Sequence, residues 1–389
     1  MARDILIVLS ITTFVVLLGV GIVLPILPIY AQGLGASATQ IGLIFASFSL
    51  SKTICTPIIG ALSDHTNRKN PILIGLILYS FIAITYVWAK DPSTLILIRL
   101  IHGIASAFIL PIAMSYVGII AEEGEEGLYM GSFNMALFLG MGAGPLLGGV
   151  LTDLWGVNAA FYALSILSAF AFTLTIIMLP PMPVSRDTGA GLNLLPFRRV
   201  LQSSSMKGLF FFRAISALGR GGLIAFIPVL AKASGISNAE IGILISANIF
   251  ITGLFQRPFG RMVTSANKIR LVITGSIIGA VSLASLPFGN SFLAFFFLGS
   301  IMGIGGAMSI PAASVMVVEN GKSLGMGATI GIFDMAMGLG QILGPLLAGF
   351  VMDIFDIDTT FYVSGILVFI GTCVFYYYTS VSLLRNHPQ

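Results

Sequence analysis

Residues 131–162 read GSFNMALFLGMGAGPLLGGVLTDLWGVNAAFY, and residues 331–362 read GIFDMAMGLGQILGPLLAGFVMDIFDIDTTFY. Aligned without a gap, the two stretches share fourteen identities in thirty-two positions. These include Gly131/Gly331, Met135/Met335, Gly140/Gly340, Asp153/Asp353, Phe161-Tyr162/Phe361-Tyr362 and the run Gly144-Pro145-Leu146-Leu147 against Gly344-Pro345-Leu346-Leu347. Shared apolar composition alone would not align Pro, Asp and Gly. The same offset of 200 pairs Pro28 with Pro228, Ile41-Gly42 with Ile241-Gly242, Gly60 with Gly260, Gly75 with Gly275, Gly103 with Gly303 and Pro111 with Pro311. The chain is a duplication.

What is duplicated follows from composition. The chain has 389 residues, of which 57% are hydrophobic and 9% charged, with a mean hydropathy of +1.02; a soluble domain carries about a quarter charged residues. Fifteen acids and nineteen Lys or Arg cannot clothe a sphere of this size in water, so most of its outer surface faces lipid. An ordinary soluble enzyme is excluded. Cys55 and Cys373 both lie in apolar runs, so neither a disulfide framework nor a thiolate metal site is encoded. The net charge of +4 reports orientation-setting Lys and Arg rather than nucleic-acid binding. The first apolar run follows Met1 to Asp4 directly and reaches Tyr30, too long for a signal-peptide core and without a convincing cleavage site.

About 20 apolar residues cross the hydrocarbon of a bilayer as a helix. Such stretches lie near 5–31, 40–62, 71–89, 94–120, 128–151, 158–180, 207–232, 240–262, 270–289, 291–318, 325–350 and 359–382. They are continuously apolar, whereas barrel strands alternate, so an all-α protein with twelve spans is expected. Twelve cations lie in the loops on the side of both termini: Arg3, Arg68, Lys69, Arg186, Arg198, Arg199, Lys207, Arg261, Lys268, Arg270, Lys322 and Arg385. Only Lys90 and Lys232 lie on the other. The positive-inside rule then puts both termini in the cytoplasm, and the acidic Glu122 to Glu126 loop does not change this, because acids contribute little. The polar stretch 181–206 divides the chain into a six-helix bundle over 1–180 and another over 207–389. With an even number of spans each, the copies share orientation, a parallel repeat of the kind that secondary transporters rock about a central site.

Gly60-Ala61-Leu62-Ser63-Asp64-His65-Thr66-Asn67-Arg68-Lys69 resembles the loop between helices two and three of the major facilitator superfamily, departing from its pattern at His65 and Asn67. Leu18-Gly19, five residues, then Pro25-Ile26-Leu27-Pro28 is similar to the first-helix motif of its twelve-span drug:proton antiporters. Gly131, Gly140, Gly144-Pro145 and Gly148-Gly149 match their fifth-helix antiporter motif in full, and the copy in helix eleven departs only at Ala348. Glycines at these spacings strip one helix face so that a neighbouring backbone can approach, and Gly-Pro permits a bend. The resemblance implies the major facilitator fold, with two pseudo-symmetric bundles, and transport by alternating access. Arg99 with Gly103 resembles the fourth-helix motif whose Arg is associated with proton coupling. In the loop, Asp64 is expected to accept from a facing helix amino terminus, with helix eleven the first choice. Arg68 and Lys69 are expected to pair with Glu122 or Glu123, closing the cytoplasmic side. Asp64→Asn should therefore lower transport more than expression; equal loss of folded protein would reject a gating role.

Within the spans the ionisable residues are Lys52, Arg99, His102, Arg213, Arg220, Arg257 and Asp334. An ionisable group at membrane depth is a functional candidate by default. Asp334 is the proton-carrier candidate, since a carboxyl's protonation depends on burial and neighbouring charge; a similar helix-eleven Asp occurs in the vesicular amine transporters. The alternative puts Asp334 in an interdomain latch near the Asp64 loop. His102, one turn from Arg99, changes charge near neutrality and is the second proton candidate, against the reading of a packed, hydrogen-bonded histidine. Arg99 is either a coupling residue or a snorkelling one. Arg220, at the middle of helix seven and on one face with Arg213, must meet a cavity. Lys52, Tyr30, Asn134, Asn248, Gln256, Gln341 and Phe333 complete the expected substrate cavity, each with the alternative of an interhelical hydrogen bond or lipid contact. Lys52, Arg99 and Arg220 outnumber Asp334, which suits an anionic, zwitterionic or neutral amphiphile better than a lipophilic cation.

No phosphate-binding loop, zinc-spaced ligand set, catalytic triad or dinucleotide fingerprint is encoded, so no cofactor, metal or catalysis is expected. Energy would come from an ion gradient. The expected partners are a small-molecule substrate, protons and the lipid bilayer of a cell membrane, with the protein a monomer. A dedicated metabolite, sugar or lipid exporter of the same fold, or a receptor or scaffold that kept it, are the rival readings.

Overall fold

The computed structural model describes residues 2–64, 67–121, 125–181, 200, 202–264 and 267–386. Twelve helices among them are long and apolar enough to cross a membrane: α1 (Ala2–Gly33), α2 (Ala38–Gly60), α3 (Lys69–Trp88), α4 (Pro92–Ile120), α5 (Tyr129–Trp155), α6 (Val157–Met178), α7 (Ser204–Ala233), α8 (Asn238–Met262), α9 (Lys268–Phe288), α10 (Phe292–Leu324), α11 (Ala328–Ile354) and α12 (Ile357–Val381). Each coincides with an expected span. The departures are at ends such as that of α10, which runs to Leu324 because hydropathy marks where a helix leaves lipid, while the backbone helix continues past Asn320, whose side-chain Nδ2 also donates to the Met316 carbonyl at 2.8 Å. Most of the linker expected over 181–206, residues 182–199 and 201, lies outside the described residues.

The same local chemistry recurs in both copies. Gly35 and Gly235 take φ of +80° and +78°, and each ends its helix with a six-to-one bond, from Ala36 to the Ala31 carbonyl (3.0 Å) and from Ile236 to that of Ala231 (3.1 Å). Only glycine enters this left-handed region without strain. Capping boxes then start the next helices, Ser37 with Gln40 before α2 and Ser237 with Glu240 before α8. Asp91 caps α4 by accepting from the Thr94 N–H at 2.9 Å, which together with the Thr94 hydroxyl holds its carboxyl below the usual range. Ser291 caps α10 in the same way. One difference is a break in α1 over Leu24–Ile26, where Pro25 and Pro28 remove two donors; α7 carries Pro228 alone and stays continuous.

The chain forms two compact units, residues 1–189 with 227–246, and 190–226 with 247–389. In the first, α1 crosses α5 at the glycine face. A Cβ on Gly140, Gly144 or Gly148 would come within 2.4, 2.5 and 2.1 Å of the carbonyl oxygens of Phe14, Leu18 and Ile22. In the second, Gly340 and Gly344 meet the carbonyls of Ala214 and Leu218 on α7 in the same manner, at 2.1 and 2.2 Å. At the departure from the motif, Ala348 lies opposite Gly222, whose counterpart at the 200 offset is Ile22. The side chain has moved from one helix to the other while the contact is kept.

Large apolar side chains such as Phe81, Ile166 and Leu254 stay more than half exposed along the spans, a surface only lipid would cover. Trp88, Trp155, Phe288 and Phe355, two pairs at the 200 offset, are about 70% exposed at the ends of α3, α5, α9 and α11. They stand at the same span ends in each copy, where exposed aromatic rings suit a membrane–water interface.

Candidate functional site

In the first unit the site begins with a glycine. A Cβ on Gly103 would lie 2.1 Å from Ser51 Oγ and 2.3 Å from the Phe48 carbonyl, so α4 runs directly against α2. One turn earlier, Arg99 is thereby delivered to α2: its Nε donates to the Ile44 carbonyl at 3.3 Å, and its guanidinium lies 4.1 Å from the Phe48 ring centre and 5.6 Å from that of Phe45. It is 5% exposed, so it does not snorkel. His102 is sealed as well. Its Nδ1 lies 2.9 Å from the Tyr86 hydroxyl, its ring stands edge-on to Tyr79 at 4.2 Å, and Nε2 is a buried nitrogen with no partner among the described residues. Tyr86 stacks on Phe161, and the Tyr30 hydroxyl donates to the carbonyls of Tyr86 (2.9 Å) and Ala89 (3.3 Å). The Lys52 ammonium lies 6.0 Å from the Phe48 ring centre. Arg99, His102, Tyr30 and Lys52 thus belong to one aromatic-lined cluster, tied together by Phe45, Phe48, Tyr79, Tyr86 and Phe161, which hydropathy alone did not single out.

In the second unit, Arg213 of α7 reaches α11. Its guanidinium is 4.9 Å from the Phe333 ring centre and donates to Met337 Sδ at 2.8 Å. Asp334, beside these two residues on α11, interacts electrostatically with it and remains exposed. Arg220, two turns further along α7, lies against α10: a Cβ on Gly306 would come 2.9 Å from its Nη2, with Thr252 next to that position. The Asn248 side chain donates to the Gly299 carbonyl at 2.8 Å, an interhelical bond between α8 and α10. Gln256 is half-buried on α8, and Gln341 is exposed on α11; Asn134 is exposed on α5 of the first unit.

The loop residues divide. Lys69 Nζ donates to the Ile176 carbonyl at 2.9 Å, meeting the last turn of α6 where a cation is favoured. The Asp64 side chain, Glu122 and Glu123 lie outside the described residues, and Arg68 is buried. The second copy makes an ion pair of the expected kind, between Lys268, equivalent to Arg68, and Glu319 on α10. A Cβ on Gly60 or Gly131 would meet nothing within 4 Å, whereas Gly19 meets Leu164 of α6 at 2.6 Å. Among the described residues no group of three or more His, Cys, Asp and Glu is placed to hold a metal.

Sequence reasoning passed over Asp153, which it recorded only as a repeat identity with Asp353. At the end of α5, Asp153 Oδ1 accepts from Asn238 Nδ2 at 2.7 Å and Oδ2 from the Ala239 N–H at 2.8 Å, capping α8. Ser246 Oγ accepts from the Leu146 N–H at 3.0 Å, and Gly149 and Gly242 bring the two backbones together. An acid retained at the same helix end in both copies was the available signal.

The Major Facilitator Superfamily model matches residues 9–214 and 209–389. An uncharacterised MFS-type transporter of Methanocaldococcus jannaschii is 30% identical over 364 residues, covering 92% of this chain and 94% of that one. The quinolone resistance protein NorA of Staphylococcus aureus is 26% identical over 352 residues, 89% of each chain. The crystal structure of the nucleoside transporter NupG superposes with a TM-score of 0.81 at 16% identity, over 96% of this chain and 99% of that one, and so shares the fold.

Proposed function

Because the chain belongs to the Major Facilitator Superfamily and is a multi-pass membrane transporter, we propose that it exports small amphiphilic, drug-like molecules by alternating access in exchange for protons. The two six-helix bundles, 1–180 and 207–389, rock about a central site, with residues 181–206 and both termini in the cytoplasm and the protein working as a monomer in the cell membrane. The loop cations, twelve on the side of the termini against two on the other, support that orientation. The similarity to a quinolone resistance protein supports efflux.

The observation that carries the proton coupling is Asp334 of α11 beside Arg213 of α7, a carboxyl and a fixed cation at membrane depth. Such a carboxyl gains or loses a proton as its exposure and its distance from the cation change. His102, bonded to Tyr86, is the second proton site, and Arg99, on the face of Phe48, acts on it electrostatically. Lys52, Tyr30, Asn134, Asn248, Gln256, Gln341, Phe333 and Arg220 make up the substrate site, and Gly60, Asp64, Arg68 and Lys69 with Glu122 and Glu123 the cytoplasmic gate.

Proton movement across vesicles reconstituted with the purified protein tests this. Adding cationic, neutral and anionic amphiphiles in turn should evoke proton flux with the native protein and none with Asp334→Asn. An unchanged variant would remove Asp334 as the carrier in favour of His102, and substrate flux without proton movement would remove proton antiport altogether.

A further inference from the structure

Resting on the transporter reading above, we propose that Arg220 binds an acidic group on the transported molecule, making the substrates anionic or zwitterionic amphiphiles. The second unit holds its charges unequally. Arg213 lies on the Phe333 ring, donates to Met337 Sδ and has the Asp334 carboxylate acting on it from beyond ion-pair distance. Arg220 has no carboxylate within ion-pair distance and donates no hydrogen bond among the described residues; the charged group that acts on it is Arg213, another cation. The Thr252 hydroxyl, beside the Gly306 position, donates to the carbonyls of Asn248 (2.7 Å) and Gly303 (3.2 Å). A guanidinium inside a membrane span is retained where water or an anion compensates it, and Arg220 is half-buried rather than sealed.

The internal repeat supplies the control. At the offset of 200, Arg220 corresponds to Val20, Arg213 to Thr13, Gly306 to Ser106 and Thr252 to Lys52. The fold therefore accepts an apolar side chain where Arg220 stands. The arginine and the glycine that lets its guanidinium lie on α10 occur together in the second copy and are both missing from the first. A planar fork of N–H donors with no acceptor of its own fits a carboxylate, sulfonate or phosphate in two-point geometry.

The test uses the full-length protein in detergent and in vesicles, with three probes of similar size: a dansyl-labelled undecanoate, its methyl ester, and tetraphenylphosphonium. The carboxylate should raise the melting temperature of the native protein, bind at least about tenfold more tightly than the ester, and lose that advantage in Arg220→Gln, as when one partner of a desolvated charge pair is removed. Arg220→Lys should keep part of it. Gly306→Ala pushes the guanidinium off α10 without removing its charge and should weaken carboxylate binding too, which gives a reading if Arg220→Gln fails to fold. Equal binding of carboxylate and ester, or stronger binding of the cation, would overturn the proposal. Charge-dependent binding with no flux of any probe into vesicles would leave the anion site standing and remove the transporter reading instead.

Discussion

Gly148→Ala is expected to lose most of its folded protein, while Gly131→Ala, in the same motif, folds as the native chain does. The new methyl at residue 148 would lie 2.1 Å from the Ile22 carbonyl oxygen and 2.8 Å from its carbon. The obstacle is backbone and cannot rotate away, so α1 must shift, yet α1 is held equally closely at Gly140 and Gly144. Overpacking of this kind costs about 1–3 kcal/mol, more where a backbone has to move. A methyl at residue 131 meets nothing within 4 Å, and alanine is the better helix former by about 1 kcal/mol. The fraction of monodisperse protein surviving a heating series in detergent measures both. Equal survival of the two variants would mean that the glycine face is not what brings α1 onto α5.

The second large effect is expected at Asp153, whose replacement by alanine should free the start of α8 from the end of α5. The carboxylate satisfies the Ala239 N–H and the Asn238 amide, and losing such a cap costs about 0.5–2 kcal/mol. A local opening equilibrium biased by that amount moves by about two- to thirtyfold. Ile241, fully buried just beyond the cap, is the reporter. With Cys55 and Cys373 replaced by serine, a cysteine introduced by Ile241→Cys should react with a membrane-impermeant maleimide several times faster in Asp153→Ala. Asp153→Asn, which keeps one acceptor oxygen, should be intermediate. An unchanged labelling rate in Asp153→Ala would show that the cap holds α8 together without restraining its motion.

Much of the fold was legible because it depends on quantities each residue carries alone. Continuous apolar runs place twelve helices, and the offset of 200 pairs Gly, Pro and Asp positions of the two copies. The candidate site was legible only as an inventory. Arg99 and Arg213 were both found inside spans, but not that one spreads on the Phe48 ring while the other bridges to Phe333 and Met337. His102 was readable as a proton carrier but more readily as a packed side chain, and its bond to Tyr86 comes from a helix end sixteen residues away.

By itself, the sequence determined that this chain is a duplicated bundle of membrane-spanning helices of the major facilitator kind. Lipid as solvent acts on every residue independently, and a repeat is a property of spacing. Which glycines lie against a neighbouring backbone, which rings and carbonyls the arginines meet and where Asp153 finds its partner were decided only by the tertiary structure. Each depends on the crossing point of helices distant in the chain. Gly131 and Gly148 look alike in the motif and differ because only one of them lies against a carbonyl of α1.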